Sequence, residues 1–325
     1  MLSVKMDRTT QPCTPSRRLA RRATAAVAGV AALLLAACGS TGSASTGGTG
    51  PSGKHLNVVA AENFWGSVVT QLGGSQVSVT SVVTDPNADP HDYQSSASNA
   101  RAFATANYVI VNGAGYDGWA DSLLSANQNS ARKVFTVADL LGKKEGDNPH
   151  FWYGPDYVTR VADQITKDLT ALDGGDAAYF TQQHAAFVAA MKPYSDRIAS
   201  IKQQFAGKKV AATESIFVYM ADALGLNLIS PPEFMKAVAE GNDPPAETVS
   251  TFQQQLQSKE ATVLVYNQQT STDVTTNLRS IANQQGIPVV GVTETMQPPD
   301  STFELWMITQ LNSLQNALNA SALAK

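Results

Sequence analysis

Short apolar runs alternate with helix-type patterns along residues 54–325, and this alternation most restricts the possible fold. The apolar runs, for example at 77–83 and 108–111, have the length and composition of buried strands. The segments between them carry apolar residues every three or four positions, as amphipathic helices do. Strands that alternate with helices form βα units, which build a mainly parallel sheet covered by helices. The sequence therefore predicts an α/β fold.

The alternation occurs in two sets. Predicted strands of the first set lie at residues 56–60, 77–83, 108–111 and 134–137, and those of the second at 209–212, 226–229, 262–266 and 289–292. Between the sets, residues 176–206 are compatible with helix throughout, with a bend expected at Pro193. We predict two lobes, at 54–175 and 207–325, each with a mainly parallel sheet flanked by helices and joined by one long helix.

Residues 1–38 have the organisation of a targeting segment. Basic residues that include Arg17 and Arg22 precede an Ala-rich apolar run at 23–37, which is shorter than the roughly 20 residues that a membrane-spanning helix needs. The run ends in "LAAC", which resembles the lipobox of bacterial lipoproteins. That resemblance implies a signal peptide at 1–38 and a lipid attached to Cys38. The alternative is an uncleaved anchor with an incidental cysteine.

The segment at 39–53, "GSTGSASTGGTGPSG", has the composition of a flexible tether. Removing the six basic residues and one acidic residue of the signal peptide leaves 17 basic and 26 acidic residues, a net charge of −9. This charge argues against nucleic acid as a partner and against electrostatic attachment to anionic lipid. Attachment to the membrane would therefore depend on the lipid at Cys38.

Several enzyme classes lack support in the sequence. Residues 113–118, "GAGYDG", match the glycine pattern of dinucleotide-binding loops, but Trp119 crowds the turn that would receive a pyrophosphate. A tight turn explains these glycines equally well. The sequence has no G-x-S-x-G and no His-Glu-x-x-His, so hydrolases of those two types are not indicated.

Four polar residues lie where α/β sheets place functional groups, beyond the carboxyl ends of strands. His91 follows the second strand, and His150 lies in "DNPHFWYGP" before a helix. Glu214 and Glu294 follow the first and last strands of the second lobe. Two imidazoles and two carboxylates that converge between the lobes would make a site for a divalent transition metal.

Each of these residues also has a simpler explanation. A histidine in a loop is commonly a surface residue, and glutamates at the start of helices are favoured by the helix dipole without any ligand. His55, beside the tether, and His184, on the joining helix, are expected to have no role in a site. The joint placement of the other four residues favours the metal site.

The motifs "ADPHDY", "NPHFWYGPDYV", "TES" and "VTET" make residues 54–325 resemble the zinc/manganese family of metal-binding lipoproteins, the solute receptors of bacterial ABC importers, some of which are described as adhesins. The resemblance implies that His91, His150 and Glu214 are metal ligands. Manganese-type members carry Glu and zinc-type members His at the position of Glu214. The fourth ligand is usually Asp, and here Glu294 takes that place, which leaves its denticity and the coordination number open.

We therefore expect a lipid-anchored receptor on the extracytoplasmic face of the cell membrane that captures zinc or manganese, with iron as a further candidate. It would be a monomer that passes its cargo to an ABC permease and its ATPase, and it would catalyse no reaction. A metallohydrolase could use the same ligands, but it would need an open coordination position and a separate general base. A surface adhesin could share the same anchor and fold.

Overall fold

A computed structural model describes residues 53–86 and 93–323 of the chain. The signal peptide, Cys38, His91 and all of the tether except Gly53 lie outside the described residues. The strands are β1 (Leu56–Glu62), β2 (Val77–Val83), β3 (Tyr108–Val111), β4 (Lys133–Thr136), β5 (Lys209–Ala212), β6 (Asn227–Leu228), β7 (Leu264–Asn267) and β8 (Val289–Val292). The helices are α1 (Asn63–Gly73), α2 (Ala97–Thr105), α3 (Gly118–Ala126), α4 (Val137–Leu141), α5 (Pro155–Leu172), α6 (Ala177–Ala190), α7 (Lys192–Phe205), α8 (Val218–Ala223), α9 (Pro232–Ala239), α10 (Ala246–Gln257), α11 (Asp273–Gln284) and α12 (Phe303–Leu323).

The strands form two parallel sheets with the same topology. The first lobe has the order β2-β1-β3-β4 and the second β6-β5-β7-β8, and every pair is parallel. The strand order therefore reverses between β1 and β3, and again between β5 and β7. In open α/β sheets the crevice outside the carboxyl ends at such a reversal is the usual place for a ligand. The predicted α/β fold with two parallel sheets is confirmed.

The largest hydrophobic cluster extends through both lobes. It contains Trp65 and Trp152 from the first lobe and Val265 and Trp306 from the second, all at most 2% exposed. Complete burial of one large apolar side chain stabilises a fold by about 1.5–3 kcal/mol. The lobes therefore share a core, which limits how freely one can move against the other.

The segment between the lobes is a helix interrupted once. Helices α6 and α7 follow each other with only Met191 between them. Pro193 has no N–H to donate to the carbonyl of Ala189, and its ring crowds that carbonyl, so the regular helix ends there. Met191 keeps right-handed helical dihedral angles (φ −72°, ψ −13°), and α7 continues to Phe205. The interruption lies where the sequence predicted a bend.

Two short helices, α4 and α9, were not predicted. Val137, which was expected to end the fourth strand, instead begins α4, and Gly142 ends that helix in the left-handed conformation (φ +68°). Helix α9 begins at Pro232, where the fixed φ of proline suits a first helical turn. No helix among the described residues is both long enough and apolar enough to cross a membrane.

Candidate metal centre

Glu214 and Glu294 extend from two strand ends of the second lobe. Glu214 comes two residues after β5 and has extended backbone angles, and Glu294 comes two residues after β8. Both side chains are completely buried. Parallel strands end at the same edge of a sheet, so both carboxylates face the crevice above it.

His150 enters the site from the first lobe, just before the turn of 3₁₀ helix at Phe151–Tyr153. Its ring is completely buried and lies edge-on to the indole of Trp152, with ring centroids 5.2 Å apart. Its Nδ1 lies 2.7 Å from Oδ1 of Asn148, and its own backbone N–H donates to the same oxygen (3.1 Å). Asn148 in turn donates from Nδ2 to the carbonyl of Ser215 in the second lobe (2.8 Å).

The three side chains meet in one place. Nε2 of His150 lies 3.6 Å from Oε1 of Glu214 and 3.8 Å from Oε2 of Glu294. One candidate ligand atom from each residue falls within 4.8 Å of the other two. This spacing and the N/O donor set suit a divalent transition metal. His91, the fourth predicted ligand, lies outside the described residues.

Hydrogen bonds hold each carboxylate from several sides. Tyr116, in the first lobe, donates its hydroxyl to Oε2 of Glu294 (2.8 Å), and Ser215 donates to Oε1 of Glu214 (2.9 Å). Asn267, the last residue of β7, donates from Nδ2 to both carboxylates, at 3.0 Å to Glu214 and 2.8 Å to Glu294.

The backbone around Glu294 is fixed as well. Oε1 of Gln269 accepts the backbone N–H groups of Glu294 (2.6 Å) and Thr295 (3.0 Å). Tyr153, from the first lobe, donates to the carbonyl of Thr293 (2.9 Å). Burial raises the pKa of Tyr153 well above its usual value, so its hydroxyl stays protonated and able to donate.

Asn63 adds a direct link between the lobes. Its Oδ1 accepts the backbone N–H of Met296 (3.0 Å), and its Nδ2 donates to the carbonyl of the same residue (3.4 Å). Two hydrogen bonds to the backbone of one residue fix the distance between α1 and the segment after Glu294.

A cleft of about 680 Å³ opens beside the site. Its lining includes Tyr116, Asn148 and Ser215, each of which contacts a candidate ligand. The acidic residues Glu145, Asp147 and Glu240 and the basic residue Lys236 also line it, so its charged side chains are mainly negative.

The glycine-rich turn at 113–118 does not form a phosphate site. Asp117 accepts the backbone N–H groups of Asn112 (2.6 Å) and Gly113 (2.8 Å), the kind of donors that a pyrophosphate would need. Gly113 has φ +77°, and an added Cβ would lie 2.7 Å from the side chain of Thr136. The glycines therefore make a tight turn, which brings Tyr116 to Glu294.

A buried carboxyl pair lies at the end of β1. Glu62 is completely buried, and Asp117, also buried, is close enough for its charge to act on Glu62. Burial, together with the nearby charge of Asp117, raises the pKa of Glu62 well above its usual value. Burial also raises the pKa of Asp117, although the backbone N–H groups of Gly113 and Asn112 oppose that effect.

The structure gives the two other histidines local partners and shows no side-chain cap bond from Glu214. His55 bonds Ser78 (2.7 Å) at the surface, and His184 pairs with Asp163 (2.8 Å) between α6 and α5. Glu214 makes no side-chain cap bond to the 3₁₀ turn that follows it. Glu294 lies nine residues before α12, so it belongs to no first helical turn.

Among the residues that contact the predicted ligands, Tyr116, Asn148, Asn267 and Gln269 were not singled out from the sequence. The position of Asn267 was detectable, because it lies at the carboxyl end of a predicted strand, as Glu214 and Glu294 do. Asn148 lies two residues from His150, and a local hydrogen bond to the ring could have been anticipated. Nothing local indicated that Tyr116 would reach across to the other lobe.

Comparisons with known proteins agree with this architecture. The zinc-binding protein TroA of Treponema pallidum has a TM-score of 0.70 at 15% identity, and the alignment covers 81% of this chain and 99% of that structure. A crystal structure of ZnuA has a TM-score of 0.63 at 22% identity and covers 80% and 99% of the two chains. These similarities concern the fold.

Two curated relatives match in sequence over 184 residues. The manganese-binding lipoprotein MntA of Halalkalibacterium halodurans is 24% identical and the iron-binding protein YfeA of Yersinia pestis 23%, over 54% of this chain in both cases. The matched region spans 60% of MntA and 58% of YfeA.

The model of the family described as "Zinc-uptake complex component A periplasmic", ZnuA, matches residues 58–317. That range contains all of both sheets except the first two residues of β1, and it contains every candidate ligand. It confirms the resemblance that the motifs indicated. Because the match covers most of the sequence, the chain belongs to the ZnuA family.

Proposed function

We propose that the protein is an extracytoplasmic receptor that binds a divalent transition metal between its lobes and delivers it to an ABC permease driven by an ATPase. One observation carries the proposal: His150, Glu214 and Glu294, from three separate segments, bury their side chains completely with ligand atoms within 4.8 Å of one another. His91 is the proposed fourth ligand. The metal is cargo, and the chain catalyses no reaction on it.

The charge balance of the site favours a cation. Glu214 and Glu294 place two carboxylates in a buried space, where ionised groups are costly unless an opposite charge compensates them. A divalent ion supplies that compensation. The neutral imidazole of His150 adds a nitrogen donor without adding charge.

Zinc and manganese are the proposed cargoes, and iron is a further candidate. The names of the relatives mention manganese, iron and zinc. Imidazole and carboxylate donors suit all three metals. The Irving–Williams order makes tighter binding of zinc than of manganese the default in vitro, so affinity alone does not identify the physiological cargo.

The cleft is the proposed route to the site. Its mainly negative lining attracts cations and raises their local concentration. Tyr116, Asn148 and Ser215 line it, and each contacts a candidate ligand, so the cleft lies next to the site.

The proposed organisation places this receptor on a lipid anchor. A signal peptide at 1–38 is removed, Cys38 carries the lipid, and residues 39–53 form a tether. A lobe at 54–175, a joining helix at 176–206 and a lobe at 207–325 complete the chain, which acts as a monomer. The description of the relative MntA as a lipoprotein supports the anchor.

A metallohydrolase fits the geometry less well. Catalytic metal sites keep a coordination position open to water and substrate. Complete burial of His150, Glu214 and Glu294 leaves little access for a substrate, although it suits capture and transport of a bare ion.

Isothermal titration of the purified chain with zinc and manganese, combined with elemental analysis of protein from its native host, tests the proposal. We expect one ion per chain and loss of binding when Glu214 and Glu294 are both replaced by Gln. Glu304→Gln is the matched control, because Glu304 is also largely buried but bonds Gln71 and Thr302. Unchanged binding in the double variant would refute the proposal. An adhesin would instead lose cell attachment on deletion while the cellular metal content stayed the same.

A further inference from the structure

Asn148, whose side chain contacts the ring of His150, is held by two groups of the second lobe. The hydroxyl of Tyr219 donates to the backbone carbonyl of Asn148 (2.8 Å). Nδ2 of Asn148 donates to the backbone carbonyl of Ser215 (2.8 Å). Oδ1 of the same amide accepts the backbone N–H of His150 (3.1 Å) and lies 2.7 Å from Nδ1 of its ring. Both the main chain and the side chain of Asn148 are therefore held by the segment at 215–219.

This segment begins directly after the candidate ligand Glu214. Ser215 donates its hydroxyl to Oε1 of Glu214 (2.9 Å), and Tyr219 is the second residue of α8. Ser215 therefore connects Glu214 to Asn148. Asn148 in turn connects to His150, whose Nε2 lies 3.6 Å from Oε1 of Glu214. The hydrogen bonds thus link two candidate ligands that belong to different lobes.

The ring of Tyr219 is held by groups of the first lobe. The ring of Tyr157 meets it edge-on, with centroids 5.1 Å apart, and Nζ of Lys143 lies 5.7 Å from its centroid. A cation at this distance from an aromatic ring is attracted to it. Burial raises the pKa of Tyr219, and Tyr157 and Asp147 add to that effect, so the hydroxyl stays protonated. It can therefore donate to the carbonyl of Asn148, which can only accept.

We propose that Tyr219 is a positioning residue for metal binding, because it holds Asn148 where that amide directs the ring of His150 toward Glu214. This inference rests on the proposed function. Tyr219 acts on the site through Asn148. Without the bond to its carbonyl, Asn148 gains freedom that metal binding must then remove, which lowers the affinity. The bond affects the orientation of the imidazole and not the type of donor, so zinc and manganese affinities should fall together.

The test replaces Tyr219 by Phe, which keeps the ring beside Lys143 and Tyr157 and removes only the hydroxyl. We expect isothermal titration to show zinc and manganese binding weakened by about three- to tenfold each, the usual net effect of one hydrogen bond. Circular dichroism and the melting temperature of the metal-free protein show whether the variant is folded.

A double-mutant cycle with Asn148→Ala shows whether Tyr219 acts through the amide of Asn148. The alanine variant keeps the carbonyl that Tyr219 bonds but lacks the side chain that contacts His150. Tyr219→Phe should therefore cause little further loss of affinity when Asn148 is already Ala. A merely structural role of Tyr219 would give the same loss in both backgrounds.

Tyr179→Phe is the matched control. The hydroxyl of Tyr179 accepts the backbone N–H of Ser75 (2.9 Å), so this variant also loses one tyrosine hydrogen bond to the backbone, but away from the site. It should bind both metals as the wild type does. Amide hydrogen exchange of His150, measured by NMR on the metal-free protein, adds a local readout, because that N–H donates to Asn148. Exchange should be faster in Tyr219→Phe and unchanged in Tyr179→Phe.

Three results would overturn the role of Tyr219 while leaving the proposed function intact. These are unchanged affinities in a folded Tyr219→Phe variant, an equal loss of affinity with and without the side chain of Asn148, and an equal loss in Tyr179→Phe. Failure of the wild type to bind either metal would instead refute the proposed function itself.

Discussion

Nδ1 of His150 lies 2.7 Å from Oδ1 of Asn148, and the backbone N–H of His150 donates to that same oxygen. Because a backbone N–H can only donate, the atom it meets must be the carboxamide oxygen, which can only accept. Nδ1 therefore carries the ring proton in the neutral imidazole. The lone pair is then on Nε2, the nitrogen that faces Glu214 and Glu294.

Replacing Asn148 by Ala should weaken zinc binding by about 10- to 100-fold, the usual effect of removing a group that orients a metal-ligating histidine. The bond from Asn148 to the carbonyl of Ser215, which joins the lobes, is lost as well. Isothermal titration measures the change. Asn129→Ala is the control, since Asn129 lies before the amino end of β4 and bonds Ala104 and Ala131. Equal affinities in both variants would contradict this role of Asn148.

Metal binding should weaken as the pH falls through the histidine range. An imidazole ligand must be neutral to bind, and histidine side chains ordinarily titrate near about pH 6.5. The ion stabilises the fold by RT ln(1 + [L]/Kd), so the rise in melting temperature with saturating zinc should be large near about pH 7.5 and mostly lost near about pH 5. Differential scanning fluorimetry measures this rise in melting temperature at each pH. The same rise at both pH values would indicate a site without histidine.

Glu62→Gln should make the apoprotein more stable at alkaline pH. The pKa of Glu62 is raised well above its usual value by burial and by Asp117, so the folded chain keeps a proton that the unfolded chain releases. The free energy of unfolding of the wild type therefore falls as the pH rises from the usual carboxyl pKa through the raised pKa. Glutamine cannot ionise, so the substitution removes this contribution to the pH dependence.

Urea unfolding at about pH 5 and pH 8 measures this effect as a pH slope. The slope should be flatter for Glu62→Gln than for the wild type. Glu240→Gln, at an exposed position, should keep the wild-type slope. A wild-type slope in Glu62→Gln would show that Glu62 titrates alike in the folded and unfolded states.

The fold was largely predictable because its signals are local. The predicted strands at 77–83, 209–212 and 289–292 coincide with β2, β5 and β8, because each carries apolar residues that face the core. Helix α4 was missed because Val137 extends the apolar run of β4 into the first helical turn. Only the tertiary packing distinguishes these two conformations at that residue.

The candidate site was predictable in its ligands but not in the groups that orient them. The rule that functional residues follow strand ends identified Glu214 and Glu294. The resemblance of "NPHFWYGPDYV" to the metal-binding family supported His150 as a ligand. Tyr116 reaches Glu294 across 178 positions of the chain. Such a contact depends on how the two lobes pack, which no local pattern contains.

Cys38→Ala should release the protein from membranes while its body stays folded. Cys38 lies outside the described residues, so this prediction rests on "LAAC", the basic and apolar segment before it and the polar tether after it. Cell fractionation followed by immunoblotting measures the distribution. Cys13→Ala, within the signal peptide, is the control and should remain with membranes. A Cys38→Ala protein that fractionates fully with membranes would refute the lipid anchor.

Glu214→His should lower manganese affinity more than zinc affinity. The substitution removes a hard oxygen and a negative charge and adds a borderline nitrogen, the donor that zinc-type relatives were expected to carry at this position. It also removes the carboxylate oxygens that accept hydrogen bonds from Ser215 and Asn267. Zinc affinity should therefore fall as well, though by less than manganese affinity. Isothermal titration with both metals measures the two changes. A greater loss for zinc than for manganese would contradict the prediction.

Glu294→Gln should weaken both metals by about tenfold or more, because the charge is lost while the shape of the side chain is kept. The new amide at position 294 can also turn its NH₂ group toward Asn267. Two NH₂ groups would then face each other where Oε1 of Glu294 now accepts a hydrogen bond from Asn267. Titration of Glu304→Gln, a buried glutamate outside the site, controls for loss of a buried charge in general. If zinc and manganese affinities are both unchanged in Glu294→Gln, Glu294 is not a ligand and the four-ligand site is refuted.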